Sequence, residues 1–199
     1  MGVGARPKPL VELAGRPLVA YALDAAQRSG LAPLLVVVGS GGDEVAAVAQ
    51  ECGSGVEVVR SPDWERGIAW SLRAALDALE GRTEVGAVCV GLADQPGVGA
   101  EAYRRLAVAY EAGATIAVAT YGGERANPVL LARPRWPEAR ELQGDEGARV
   151  LMRRAPVVEV DCTGTGDPAD VDTPADLEAL RTAVPGTLRR GGQRKVRGS

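Results

Sequence analysis

LLVVVGSGGDEVAAVAQECGSGVEVVR, residues 34–60, places two β-branched runs on either side of an alanine-rich segment. The runs Leu34 to Gly39 and Val56 to Arg60 are short and dense in valine, whose stiff side chains suit a pleated strand. Between them, Asp43 to Cys52 carries apolar residues at helical spacing and several alanines, so it is read as a helix. Strand, helix, strand is a βαβ unit. Strands that are apolar at nearly every position belong to a parallel sheet covered on both faces.

The same rhythm continues outward in both directions. Ala87 to Leu92 (AVCVGL) and Ile116 to Thr120 (IAVAT) read as further buried strands. Pro17 to Ser29, Ser71 to Glu80 and Ala100 to Ala112 read as helices. Pro17 suits a first helical turn, Gly30 suits the position just past a helix end, and Thr173 with Pro174 opens a last helix to about Ala183. Tyr121-Gly-Gly-Glu-Arg125 predicts a turn into Pro128 to Leu131, and Val157 to Val160 is one more short strand. The fold class is therefore α/β, a doubly wound and mostly parallel mixed sheet. A chain of 199 residues with 46% hydrophobic and 25% charged content fits one domain, expected over residues 1–184. Pro185 to Ser199, rich in Gly and Arg with little to bury, is expected to be a disordered basic tail without an assigned role.

Composition removes several function classes. A net charge of −3 gives no electrostatic reason to expect nucleic acid as a partner. No apolar run is long enough to span a bilayer, so no membrane partner is expected and cytoplasm is the natural location. Cys52, Cys89 and Cys162 form no Cys-x-x-Cys pair and read as incidental thiols. The chain has no histidine at all, which removes the commonest general base, the Ser-His and Cys-His nucleophile pairs, and imidazole zinc sites. Gly39-Ser-Gly41-Gly42 resembles the start of a dinucleotide fingerprint, but its third glycine would fall at Glu44, so it reads as a strand-to-helix turn. The glycine-rich phosphate loop and the Gly-x-Ser-x-Gly elbow are both missing from the sequence.

Ligands of open α/β sheets bind beyond the carboxyl ends of the strands. After the strand Ala87 to Leu92 comes Ala93-Asp94-Gln95-Pro96, which puts a carboxylate beside a proline-fixed turn. Asp170-Val-Asp172-Thr-Pro174 puts another directly before a helix. Two such carboxylates converging from separate loops suit Mg2+, which keeps waters and takes further oxygens from substrate phosphates. The simpler alternative is that Asp94 stabilises a turn and Asp172 caps a helix.

The ordered set of segments resembles the MobA-like NTP transferases, and within them the molybdenum cofactor cytidylyltransferases. The resemblance runs from Met1-Gly2 and Arg6-Pro7-Lys8 through Gly15-Arg16-Pro17-Leu18, Ser61-Pro62-Asp63-Trp64-Glu65-Arg66-Gly67 and Ser71-Leu72. It continues through Ala93-Asp94-Gln95-Pro96, Asn127-Pro128-Val129 and Gly144 to Arg149, ending at Asp170-Val-Asp172-Thr-Pro174. It implies a Rossmann-like nucleotide-diphospho-sugar transferase (GT-A-like) fold and transfer of CMP from CTP to the phosphate of molybdopterin, with pyrophosphate released. In the roles it implies, Lys8 and Asp94 are catalytic, and Lys8, Ser71 and Asp94 bind the nucleotide. Asn127 contacts the pterin substrate, and Asp94 with Asp172 holds Mg2+. CTP and a molybdopterin-type cofactor are the implied partners, with a molybdenum hydroxylase apoenzyme as receiver of the product. A guanylyltransferase, a sugar- or polyol-phosphate nucleotidyltransferase and a noncatalytic cofactor-delivery module are the alternatives. On residue type alone, Lys8 reads equally as a solvated lysine and Trp64 as a loop anchor. Arg149 reads as an anion contact or a partner of Glu146. The family begins with an apolar strand and a glycine-rich loop ending in Arg-Met-Gly, whose end Met1-Gly2 matches. The expectation is an N-terminally truncated domain in which Met1 is an internal methionine of the native protein.

Overall fold

The computed structural model describes residues 7–183 apart from residues 54 and 154, so the expected basic tail lies outside the described residues. A 3-10 turn, Lys8–Leu10, leads into a small hairpin of β1 (Glu12–Leu13) and β2 (Arg16–Pro17). The helix α1 (Leu18–Ser29) follows, with Pro17 at its N-cap and Gly30 closing it in the left-handed conformation at φ 80°. Strand β3 (Leu34–Val38), helix α2 (Gly42–Glu51) and strand β4 (Val56–Arg60) form the βαβ unit, and β3 pairs with β4 in parallel from Leu34–Val56 to Val38–Arg60.

Helix α3 (Ile68–Ala78), strand β5 (Ala87–Val90), helix α4 (Ala100–Glu111), strand β6 (Ile116–Tyr121) and strand β7 (Glu124–Ala132) come next. A short α5 (Trp136–Arg140), strand β8 (Val158–Asp161) and α6 (Pro174–Ala183) complete the described chain. The four-stranded sheet has the order β5-β7-β6-β8. Strand β7 runs antiparallel to both of its neighbours, whereas β6 and β8 are parallel. Strands β5, β6 and β8 therefore point one way and β7 alone is reversed, which is the expected mixed sheet. The turn between β6 and β7 is narrower than the sequence suggested. Gly122 and Gly123 alone occupy it, at φ 60° and 87°, as a primed two-residue hairpin turn requires. Glu124 and Arg125 already belong to β7.

Alternation along the middle strands explains how both faces of this sheet are covered. Ile116, Val118, Val129 and Leu131 point to one side, where they pack with Leu72, Leu76, Trp136 and Leu151. Ala117, Ala119 and Leu130 point to the other, where the small side chains admit Ala102 and Leu106 of α4 closely. A third cluster joins Leu10, Val19, Leu23, Val38, Val45 and Ala49 over the β3–β4 pair. A fourth joins Leu13, Leu18, Tyr21, Val171 and Leu180, fastening α6 to α1. The expectation of strands buried on both faces holds for β6 and β7; the residues of β5 and most of β3 are only half-buried, because each borders its sheet with a strand on one side. No helix among the described residues is long and apolar enough to cross a membrane.

Candidate active site

Lys8 is held from both flanks. Pro7 lies so close over Gly41 that a Cβ there would stand 2.2 Å from the proline Cγ. Two residues beyond Lys8, Leu10 is buried in the α1–α2 cluster. The ammonium so positioned donates to Oδ2 of Asp94 at 2.7 Å and to Oδ1 of Asp172 at 2.5 Å. The structure thus brings together three of the residues singled out in the sequence, from positions 86 and 164 residues apart. Burial alone would lower the Lys8 ammonium's pKa, but the hydrogen bonds and charges of Asp172 and Asp94 outweigh it, and it stands above the ordinary lysine value of 10.5.

The two aspartates converge because their loops are joined along their length. The Val171 amide donates to the Asp94 carbonyl at 2.9 Å, and the Asp167 amide donates to the Gly97 carbonyl at 2.9 Å. Between these, Gln95 Nε2 donates to the Pro168 carbonyl at 2.9 Å. The backbones approach so tightly that a Cβ at Gly99 would lie 2.0 Å from the Thr165 carbonyl oxygen. Gln95 is in turn held from below, where Asn127 Nδ2 donates to its Oε1 at 3.0 Å. At 7% and 3% exposed, Asn127 and Gln95 form a buried amide relay from β7 through the Asp94 loop to the Asp172 loop. The sequence pointed to Asn127 as a substrate contact; in the structure it is buried and its Nδ2 holds Gln95, and through it the loop.

Asp172 is left free by its neighbours. Asp176 Oδ2 accepts from the amides of Thr173 and Asp172 at 2.7 and 3.0 Å, while Thr173 Oγ1 accepts from the Asp176 amide at 3.3 Å. Thr173 and Asp176 are a reciprocal capping box for α6. The Thr173 hydroxyl and these amides hold the Asp176 carboxyl below its usual range. The helix is therefore capped without the Asp172 side chain, which turns to Lys8. The Thr-x-x-Asp spacing was legible in the sequence and was missed.

Ser71 does not open its helix, since α3 begins three residues earlier at Ile68. It is half-buried, and no hydrogen bond joins its hydroxyl to the Lys8 cluster among the described residues. Glu146 accepts the Gln143 amide at 3.0 Å and makes no ion pair with Arg149. The cysteines are poor nucleophiles: burial pushes the Cys89 thiol up to about 12 and raises those of Cys52 and Cys162 as well.

A divalent cation fits the donor set. Two carboxylate oxygens reach one nitrogen, so a cation replacing that ammonium would meet both. Among the described residues there is no group of three or more His, Cys, Asp or Glu side chains able to hold a metal. An ion bound here would take two protein oxygens and complete its shell with water and phosphate, the habit of Mg2+.

Residues 1–160 match the model of the MobA-like NTP transferase domain, and the chain belongs to that family. Its activity class is nucleotidyl transfer. Nicotine blue oxidoreductase of Paenarthrobacter nicotinovorans is 30% identical over 188 residues, covering 89% of each chain. Rv0371c of Mycobacterium tuberculosis H37Rv is 31% identical with a TM-score of 0.76 over 90% of this chain and 92% of that one, and a manganese complex of Rv0371c is similar at 29%. The fold is also that of molybdopterin-guanine dinucleotide biosynthesis protein A from Archaeoglobus fulgidus, at 19% identity and a TM-score of 0.63 over 92% and 94% of the two chains.

Proposed function

We propose that the chain transfers CMP from CTP to the terminal phosphate of a molybdopterin-type cofactor, releasing pyrophosphate, with a divalent cation between Asp94 and Asp172. The observation that carries this reading is the meeting of the two carboxylates at Lys8. The manganese complex of Rv0371c and the segments shared with the cytidylyltransferases favour it further.

An acceptor phosphate oxygen attacks the α-phosphorus of CTP; the new P–O bond forms as the bond to the bridging oxygen of pyrophosphate breaks, and the bridging electrons leave with pyrophosphate. Such a step needs positioning and charge neutralisation, and no side-chain base, which suits a chain without histidine. With a cation held by the two carboxylates, the Lys8 ammonium would be free to supply positive charge to the triphosphate. A divalent cation bound there would supply charge neutralisation for the phosphate oxygens. Asp94 and Asp172 hold that cation, and the Gln95–Asn127 relay keeps their loops in register.

Pyrophosphate release in the presence of Mg2+ and molybdopterin, measured with each NTP in turn, tests the reading. CTP is expected to turn over fastest, and Asp94→Ala to slow turnover by about 100-fold or more. Faster turnover with GTP would transfer the site to guanylyl chemistry, and no pyrophosphate with any NTP would overturn the reading. A second reading comes from the relative named as an oxidoreductase. Under it, the chain would carry out a redox reaction and release no pyrophosphate.

A further inference from the structure

The motif carrying Trp64 has no part in the chemistry above, yet the structure gives that side chain an unusual setting. Of the three tryptophans, Trp136 is 1% exposed and has Arg133 over its ring at 4.2 Å. Trp70 carries the Arg66 and Arg73 guanidinium groups at 3.4 and 4.2 Å from its ring centre. Trp64 alone is 40% exposed with no cation on its ring among the described residues, and Ile68, also 40% exposed, follows four residues later at the start of α3.

The root of this ring is seated on backbone. A Cβ at Gly39 would lie 2.6 Å from both Cβ and Cγ of Trp64. Gly39 immediately follows β3, and Trp64 stands in the loop after β4, so both are at the carboxyl ends of parallel strands. Two residues on from Gly39, Gly41 lies under Pro7, the neighbour of Lys8. Two residues of chain span no more than about 7 Å, so the ring and the Lys8 centre share one edge of the fold. In the same corner, Ser61 is 3% exposed and its hydroxyl has no hydrogen-bond partner.

We infer that Trp64 is the stacking platform for a planar heteroaromatic ring whose attached phosphates reach the Lys8–Asp94–Asp172 centre. The inference rests on the phosphate-handling role proposed for that centre. An exposed indole beside a lysine and two carboxylates that would hold a divalent cation is matched by a ligand with a flat π-system at one end and phosphate at the other, because the ring stacks while the phosphate meets the cation and the lysine. The nucleobase of the NTP and the fused ring of the acceptor both have this chemistry.

Isothermal titration of the full chain with Mn2+ present separates them. The probes are tripolyphosphate, CTP, GTP and neopterin triphosphate. Trp64→Ala is expected to weaken at least one ring-bearing ligand about tenfold while tripolyphosphate binds as before. Trp64→Phe should restore most of the loss, and Gly39→Ala, which drives a methyl into the Trp64 root, should reproduce it with the indole retained. Loss confined to CTP and GTP assigns the platform to the base, and loss confined to the pterin assigns it to the acceptor. Equal affinities of wild type and Trp64→Ala for every ring ligand would overturn the inference, as would an equal loss for tripolyphosphate. Failure of tripolyphosphate to bind the wild type would instead remove the phosphate centre on which it rests.

Discussion

Lys8 forms the hub of the site, and its charge has two jobs that cannot be done at once. In the described structure the ammonium neutralises Asp94 and Asp172, which would otherwise repel across a short gap. Because its pKa is raised, the contribution of this bridge to stability is complete below the ordinary lysine value of 10.5 and disappears as pH rises through the higher folded value. The side chains are 40%, 26% and 67% exposed, so solvent screening keeps that contribution small. The proposed function asks the ammonium to yield its place to a divalent cation. Lys8→Met should therefore show a larger rise in Tm on adding Mn2+ than the wild type, since nothing then competes for the carboxylates. An unchanged or smaller rise, read by thermal shift, would mean that Lys8 and the cation do not share a position. Lys8 and both aspartates were legible in the sequence by their motifs, but the identity of their shared neighbour was not, because ion pairing across 164 residues leaves no local pattern.

At the level of elements, the relay from β7 through Gln95 to Pro168 sets the spacing of the two aspartate loops. Asn127→Leu would leave the Gln95 carbonyl oxygen buried and without its donor, a loss of about 1–3 kcal/mol in urea unfolding. The double variant with Gln95→Leu should lose less than the two single losses combined, because the pair then vanishes together. Additive losses would show that the two amides act independently. The elements themselves were readable where periodicity was strong: Val56–Arg60 matches its predicted bounds, and α1, α2 and α4 differ at their ends by a residue. The β1–β2 hairpin was not, since two residues per strand are too few to show alternation. The polar start of β7, Glu-Arg-Ala-Asn, concealed a strand whose partner is the facing end of β6 across a two-glycine turn. Helix α5 was hidden by Pro137, although a proline in the first helical turn is compatible with a helix.

For the whole molecule, strand order decides how the site is assembled. Strand β7 enters the sheet between β5 and β6, so the hairpin carries Asn127 beneath the loop that leaves β5. Periodicity reports which segments are strands and leaves their neighbours undetermined, so this insertion is a property of tertiary packing. The same arrangement gathers a proline-braced lysine, two carboxylates from separate loops and an exposed tryptophan along one edge of the fold. In the proposed function that edge is the nucleotide-handling surface, and Asp94 and Asp172 hold one divalent cation between them. Titration of Mn2+ followed by electron paramagnetic resonance, with a nonhydrolysable CTP analogue present, tests it most directly. One bound ion is expected in the wild type, with a loss of affinity of at least about tenfold in Asp94→Ala and Asp172→Ala alike. Wild-type affinity in either variant would contradict it.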